Sequence, residues 1–125
     1  MSLTSKEILI VEDNEDNSIL AEKILHHYGF KTYVVPNGKS AVDYCENHFP
    51  DLILMDLSLP DIDGMEVTRI LRKRPEYRII PIIALTAHAM IGIQESTQEA
   101  GMNDFIAKPF LPKDLIIIIK KYLST

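Results

Sequence analysis

The chain has 125 residues, the length of one compact domain, and two domains of half that length would be too small to stand without staples. Its single cysteine, Cys45, excludes an intramolecular disulfide framework and suits a reducing compartment, while 46% hydrophobic and 25% charged residues exclude disorder. A net charge of −5, from 13 basic and 18 acidic residues, argues against nonspecific nucleic-acid binding, which needs a basic face.

The first apolar run, Ile8 to Val11, predicts a strand that ends in the acids Glu12-Asp13. Leu20, Ala21, Ile24, Leu25 and Tyr28 then fall on one face of a first helix, with Gly29 placed as a left-handed cap. Tyr33 to Val35 predicts a second strand. Asn37 can cap a second helix whose stripe is Ala41, Val42, Cys45 and Phe49. Leu52 to Met55 predicts a third strand, followed by Asp56. Val67, Ile70 and Leu71 stripe a third helix that stops before Pro75. The fourth strand lies within Ile79 to Leu85, with Pro81 marking its start, and Thr86 follows it. Residues 90–100, from Met90 to Ala100, form the weakest helix, because Gly92, Ser96 and Thr97 are poor helix formers; Gly101 ends it. Phe105 to Ala107 predicts a fifth strand before Lys108-Pro109, and a last helix runs from Pro112 to about Leu123.

Five strands and five helices in strict alternation predict a parallel α/β sheet with helices on both faces. The continuous apolar runs predict strands covered on both sides. No run approaches the ~20 apolar residues of a membrane span, and the N-terminus lacks the pattern of an export signal. A soluble, cytoplasmic protein without membrane or direct nucleic-acid partners is expected.

In a parallel sheet the residues that follow each strand project from one edge, where such folds bind ligands. Glu12, Asp13, Asp56, Thr86 and Lys108 therefore converge. Three carboxylates repel one another unless a cation neutralises them. Mg²⁺ favours oxygen ligands and often takes one or two carboxylates together with phosphate oxygens. A lysine and a hydroxyl beside such a cluster suit a phosphoryl group, with Asp56 as an aspartyl nucleophile.

These residues stand in the segments Ile8-Leu9-Ile10-Val11-Glu12-Asp13-Asn14, Asp51-Leu52-Ile53-Leu54-Met55-Asp56, Pro60-Asp61-Ile62-Asp63-Gly64, Ala84-Leu85-Thr86-Ala87 and Lys108-Pro109-Phe110. In this combination and order the sequence resembles the receiver domain of two-component response regulators, over essentially the whole of residues 1–125. The resemblance implies a flavodoxin-like (βα)5 three-layer sandwich with strand order 2-1-3-4-5, the order the chemotaxis receiver exemplifies. It implies that Asp56 accepts a phosphoryl group from a histidine kinase or a histidine phosphotransfer protein. Mg²⁺ would be held by Asp13 and Asp56, by Glu12 largely through water, and by the backbone carbonyl of Ser58. Lys108 would pair with the phosphoryl oxygens, and the Lys108-Pro109 peptide would be cis. Thr86 would move to the phosphoryl group and Phe105 would turn inward behind it. The fourth helix, fifth strand and fifth helix would then present a changed surface to a downstream protein target. Such a module promotes its own phosphorylation and dephosphorylation and is not an enzyme in the usual sense. Within these 125 residues no output domain is expected beside the receiver.

Other residues divide the expectation. Glu12-Asp13 could instead be a solvated helix start, and Thr86 could cap the fourth helix. Asp61 and Asp63 read as loop residues near the cleft, not ligands, and Gly64 as a turn residue. His88 and Ser58 could tune the phosphate lifetime. His26 and His27 are adjacent on a helix and make a poor metal pair; His48 reads as a solvated helix end, and Cys45 as inert core. Ile116 to Ile119 sweep about 300° of helix, so one or two must be exposed on the expected partner surface, favouring a homodimer or docking there. Leu111 offers no side-chain cap to the last helix. A haloacid-dehalogenase-type phosphatase is disfavoured because Leu59-Pro60 precedes Asp61 and Met65 replaces Thr or Ser. A flavin module would lack its phosphate loop, and an EF-hand would lack its sixth-position Gly. A degenerate, unphosphorylated receiver conflicts with the complete acid, Thr and Lys set.

Overall fold

The computed structural model describes residues 6–87 and 92–123. His88, Ala89, Met90 and Ile91 lie outside the described residues, so the reading of His88 and the start of the fourth predicted helix fall outside them too. The elements in chain order are β1 (Glu7–Val11), α1 (Glu15–His27), β2 (Lys31–Val35), α2 (Gly38–Cys45), β3 (Leu52–Asp56), α3 (Gly64–Arg72), a 3-10 turn (Pro75–Tyr77), β4 (Ile82–Thr86), α4 (Ile93–Ala100), β5 (Asp104–Ala107) and α5 (Pro112–Leu123). All four strand pairings are parallel and the sheet order is β2-β1-β3-β4-β5, as expected.

The two-residue period of a strand divides the core into two apolar layers. Ile8, Ile10, Leu52, Leu54, Ile83, Leu85 and Ile106 pack with α1 and α5. Leu9, Val11, Ile53, Met55, Ile82 and Ala84 pack on the other side with α2, α3 and Tyr77. The three central strands β1, β3 and β4 have their apolar residues fully buried. Each such Ile or Leu contributes about 1.5–3 kcal/mol by leaving water, so these strands anchor the sheet. The 3-10 turn, not foreseen in the sequence, inserts Tyr77 under the α2–β3 connection, where its hydroxyl donates to the carbonyls of Cys45 and His48.

Several expected packing assignments are corrected. Leu20 and Tyr28 are 41% and 38% exposed; the buried stripe of α1 is Ser18, Ala21, Ile24 and Leu25. Ser18 joins that face because its hydroxyl donates to the Glu15 carbonyl at 3.0 Å. Phe49 lies beyond the end of α2 and is half exposed, because the helix closes at Cys45. Ile79 is 88% exposed, since β4 begins only after Pro81. β2 is not covered on both faces: it is an edge strand, and Lys31 and Tyr33 face solvent. The residue before the described α4 is Gly92, in the left-handed region; the reading of Thr86 as a cap depends on residues 88–91, outside the described residues. Of the isoleucine run, Ile116 and Ile119 are buried, Ile118 is half-buried and Ile117 is exposed. Asn37 does cap α2 through a capping box, and Gly29 and Gly101 adopt the left-handed conformation at the ends of α1 and α4.

Candidate functional site

The register places the chemistry. Val11 pairs with Met55, so the residue after each, Glu12 and Asp56, continues the row of Ile8, Ile10, Leu52 and Leu54 at the carboxyl edge. Asp56 is opposite Leu85, and Thr86 opposite Ala107. Backbone bonds carry the ladders past the strand ends and hold the first residue beyond β1, β3 and β5: Glu12 N to Val35 O at 3.1 Å, Leu57 N to Leu85 O at 3.1 Å, and Lys108 N to Thr86 O at 2.7 Å. The Lys108–Pro109 peptide is cis.

At this edge Glu12 and Asp56 are nearly inaccessible, at 3% and 2% exposure, whereas Asp13 is exposed. One carboxylate oxygen from each of the three lies within 4.8 Å of the others. The Lys108 ammonium lies 3.1 Å from Glu12 Oε1 and 3.1 Å from Asp56 Oδ2. The Asn14 amide donates to Glu12 Oε2 at 3.3 Å and the Ser58 amide to Asp56 Oδ1 at 3.0 Å. Asn14 also caps α1, its Oδ1 accepting from Asn17 N at 2.9 Å, so the Glu12-Asp13 turn is pinned by the helix directly after it.

The electrostatics arise from one ammonium paired with two of the three clustered carboxylates, Glu12 and Asp56. Burial pushes the Glu12 carboxyl up to about 7, and sharing a hydrogen bond with Asp56 adds to the rise; Lys108 opposes it. Burial works against the charge of Lys108, but the hydrogen bond to Glu12 and the charge of Asp56 outweigh it and hold the ammonium above its ordinary range. The cluster is an all-oxygen set with excess negative charge, which fits a hard divalent cation such as Mg²⁺.

Thr86 is buried at the end of β4, and Phe105 is half-buried against the layer that holds α2 and α3. Ser58 is exposed at the start of the β3–α3 loop. Asp61 and Asp63 each have a defined task rather than being free loop residues. Asp61 accepts from the Gly38 and Lys39 amides at the start of α2, at 2.8 and 2.9 Å, and Asp63 caps α3 through the amides of Met65 and Glu66. The first could not be read from the sequence, because it joins segments 22 and 23 residues apart. The second has the Asx-cap signal of an acid before a helix. Gly64 is not a turn residue. It is the first residue of α3, and a side chain there would begin 2.2 Å from the carbonyl oxygen of Asp56. His26 and Glu22 both meet the Thr32 hydroxyl, and His48 bonds the Tyr44 carbonyl.

The sequence matches the response regulator receiver domain family over residues 8–120. It is 43% identical over 119 residues to the polar-differentiation response regulator DivK of Brucella anthropi, covering 95% of this chain and 97% of that protein. The receiver domain of sensor histidine kinase PA1611 from Pseudomonas aeruginosa, solved with a magnesium ion coordinated in its active site cleft, is 41% identical. It has a TM-score of 0.89 over 97% of this chain and 99% of that one. The chemotaxis response regulator CheY4 of Vibrio cholerae, at 22% identity, shares the fold with a TM-score of 0.90 over 94% of this chain and 98% of that one.

Proposed function

Because this chain belongs to the family of response regulator receiver domains, we propose that it accepts a phosphoryl group on Asp56 from a histidine kinase or a histidine phosphotransfer protein. The observation that carries this reading is the Lys108 ammonium held 3.1 Å from both Glu12 and Asp56 beside a third carboxylate. A carboxylate oxygen of Asp56 attacks phosphorus, the bond from phosphorus to the donor histidine nitrogen breaks, and the imidazole leaves with the electron pair. Phosphoryl transfer of this kind is a matter of positioning and charge neutralisation. The Ser58 amide and Lys108 hold the two oxygens of Asp56, and Lys108 remains to meet the transferred phosphoryl oxygens. Asp13 and Asp56 would hold Mg²⁺ through carboxylates, Glu12 largely through water, and Ser58 through its backbone carbonyl. When bound, Mg²⁺ supplies positive charge to the phosphoryl oxygens.

The phosphoryl group adds about −1.5 to −2 charge at one buried carboxylate. Thr86 then hydrogen-bonds it and Phe105 turns inward, and the face made by α4, β5 and α5 changes toward a downstream protein target or a second copy of the chain. The lightness of α4 supports this reading. Only Thr97 and Ala100 of that helix are buried, and the Thr97 hydroxyl bonds back to Ile93 and Gln94 instead of to a neighbouring element. No helix among the described residues is long and apolar enough to cross a membrane, and the cytoplasm is the proposed compartment.

Incubation with Mg²⁺ and acetyl phosphate should add one phosphoryl mass that disappears in Asp56→Asn. An adduct retained by that variant would put the acceptor elsewhere. Binding of a phosphoryl mimic should alter amide exchange in α4, and unchanged exchange there would remove the switch from this reading.

A further inference from the structure

The β3–α3 loop carries Ser58, whose amide fixes one oxygen of Asp56. At its base the Gly64 amide donates to the Leu57 carbonyl at 3.2 Å, so residues 58–63 bulge out as a closed loop. Near the tip, both oxygens of Asp61 are engaged, Oδ1 by Gly38 N at 2.8 Å and Oδ2 by Lys39 N at 2.9 Å. The next residue meets the same helix start: a side chain on Gly38 would begin 3.0 Å from the Ile62 carbonyl oxygen. The backbone bonds, that of Lys39 foremost, hold the Asp61 carboxyl below its ordinary range, so it is charged whenever the protein is folded near neutrality. The loop is thus tied at its base to the sheet and near its tip to α2, with Ser58 between the two ties.

We propose that Asp61 is a positioning residue for the phospho-acceptor site: by clamping the tip of the β3–α3 loop to the first turn of α2, it sets where Ser58 presents its amide to Asp56 and its carbonyl to the cation. The inference rests on the function proposed above and adds a residue to it that touches neither phosphoryl group nor metal. Residues that hold a ligand from behind typically cost about 10–100-fold in metal affinity when removed. The same cap stabilises α2, so a purely structural role has to be separated from positioning. Asn37 supplies the control, because its side chain caps the same helix start, accepting from Ser40 N at 2.8 Å, without reaching the β3–α3 loop.

The test compares wild type, Asp61→Asn, Asp61→Ala and Asn37→Ala in the whole chain by Mg²⁺ titration calorimetry, by amide exchange without metal, and by urea unfolding. Asp61→Ala should weaken Mg²⁺ binding about tenfold or more and speed exchange at Ser58 and Leu59. Asp61→Asn, which keeps an acceptor oxygen but loses the charge, should fall between. Asn37→Ala should lose comparable stability yet bind Mg²⁺ within twofold of wild type and leave exchange at Ser58 unchanged. Equal Mg²⁺ affinity in wild type and Asp61→Ala would overturn the inference, as would a matching loss in Asn37→Ala. Wild type that binds no Mg²⁺ would overturn the proposed function as well.

Discussion

Gly64→Ala tests how tightly the start of α3 is set against the acceptor. The added methyl would lie 2.2 Å from the carbonyl oxygen of Asp56 and 3.0 Å from both its carbonyl carbon and Met55 Cγ. Ordinary contact begins near 3.4 Å, so either the end of β3 or the first turn of α3 must retreat by about 1 Å. The end of β3 is bonded on both flanks and Asp56 is 2% exposed, so neither side can yield freely. Overpacking of this kind costs about 1–3 kcal/mol, which a domain with ~5–15 kcal/mol of stability survives. The functional loss should be larger in proportion, because a misplacement of about 1 Å at a reacting group can cost ~100-fold in rate. Urea unfolding gives the first quantity. The rate of phosphoryl adduct formation with acetyl phosphate at saturating Mg²⁺ gives the second. A variant as stable as wild type and phosphorylated at the same rate would refute the close approach as a constraint. Gly38→Ala is the companion measurement: its nearest obstacle, at 2.9 Å, is the end of the Val67 side chain, so it should cost less.

Tyr77→Phe removes the hydroxyl that serves the Cys45 and His48 carbonyls inside the core; because Arg74 also reaches the Cys45 carbonyl, the loss should be about 1–2 kcal/mol in urea unfolding with phosphorylation intact. In metal-free buffer, stability should fall as pH rises from about 4.5 to about 7, because the native Glu12 carboxyl keeps a proton that the unfolded chain has released. The contribution is fully present below pH 4.5, is lost through pH 7, amounts to at most about 3 kcal/mol, and should vanish in Glu12→Gln; a pH profile identical in the two proteins would refute it. Ile117→Glu should change stability by no more than about 0.5 kcal/mol, since this side chain is 64% exposed. If α5 mediates self-association, the variant should sediment as a monomer with a phosphoryl mimic under conditions where wild type does not.

Legible and hidden features of the sequence separate along physical lines. Strand order aside, the site residues could be read because a parallel sheet delivers every residue just past a strand to one edge, so Glu12, Asp56 and Lys108 needed only their place after an apolar run. Helical stripes were harder. Leu20 and Tyr28 share a helix face with Ile24, but the stripe that reaches the core is narrower than the stripe that is apolar, and the polar Ser18 takes a place in it by bonding its own backbone. Contacts between distant segments left no local mark. Asp61 on the start of α2 and Arg72 on the carbonyls of Gly101 and Ile80 depend on which loops the fold brings together. Gly64 was visible as a glycine, but its reason, the backbone of Asp56 behind it, was not.

The two outer strands have a consequence for assembly. β2 has five residues and β5 four, and among the described residues each pairs with a strand on one side alone. Open rows of this kind recruit further strands unless they are short or guarded by charge and proline. β2 starts at the exposed Lys31 and runs into Pro36, and β5 opens on Asp104, whose carboxylate is engaged by Lys121 and Tyr122. Both margins are therefore poor templates for sheet extension. Association with a partner or a second copy therefore need not involve strand addition, and can be made and reversed without reopening the sheet.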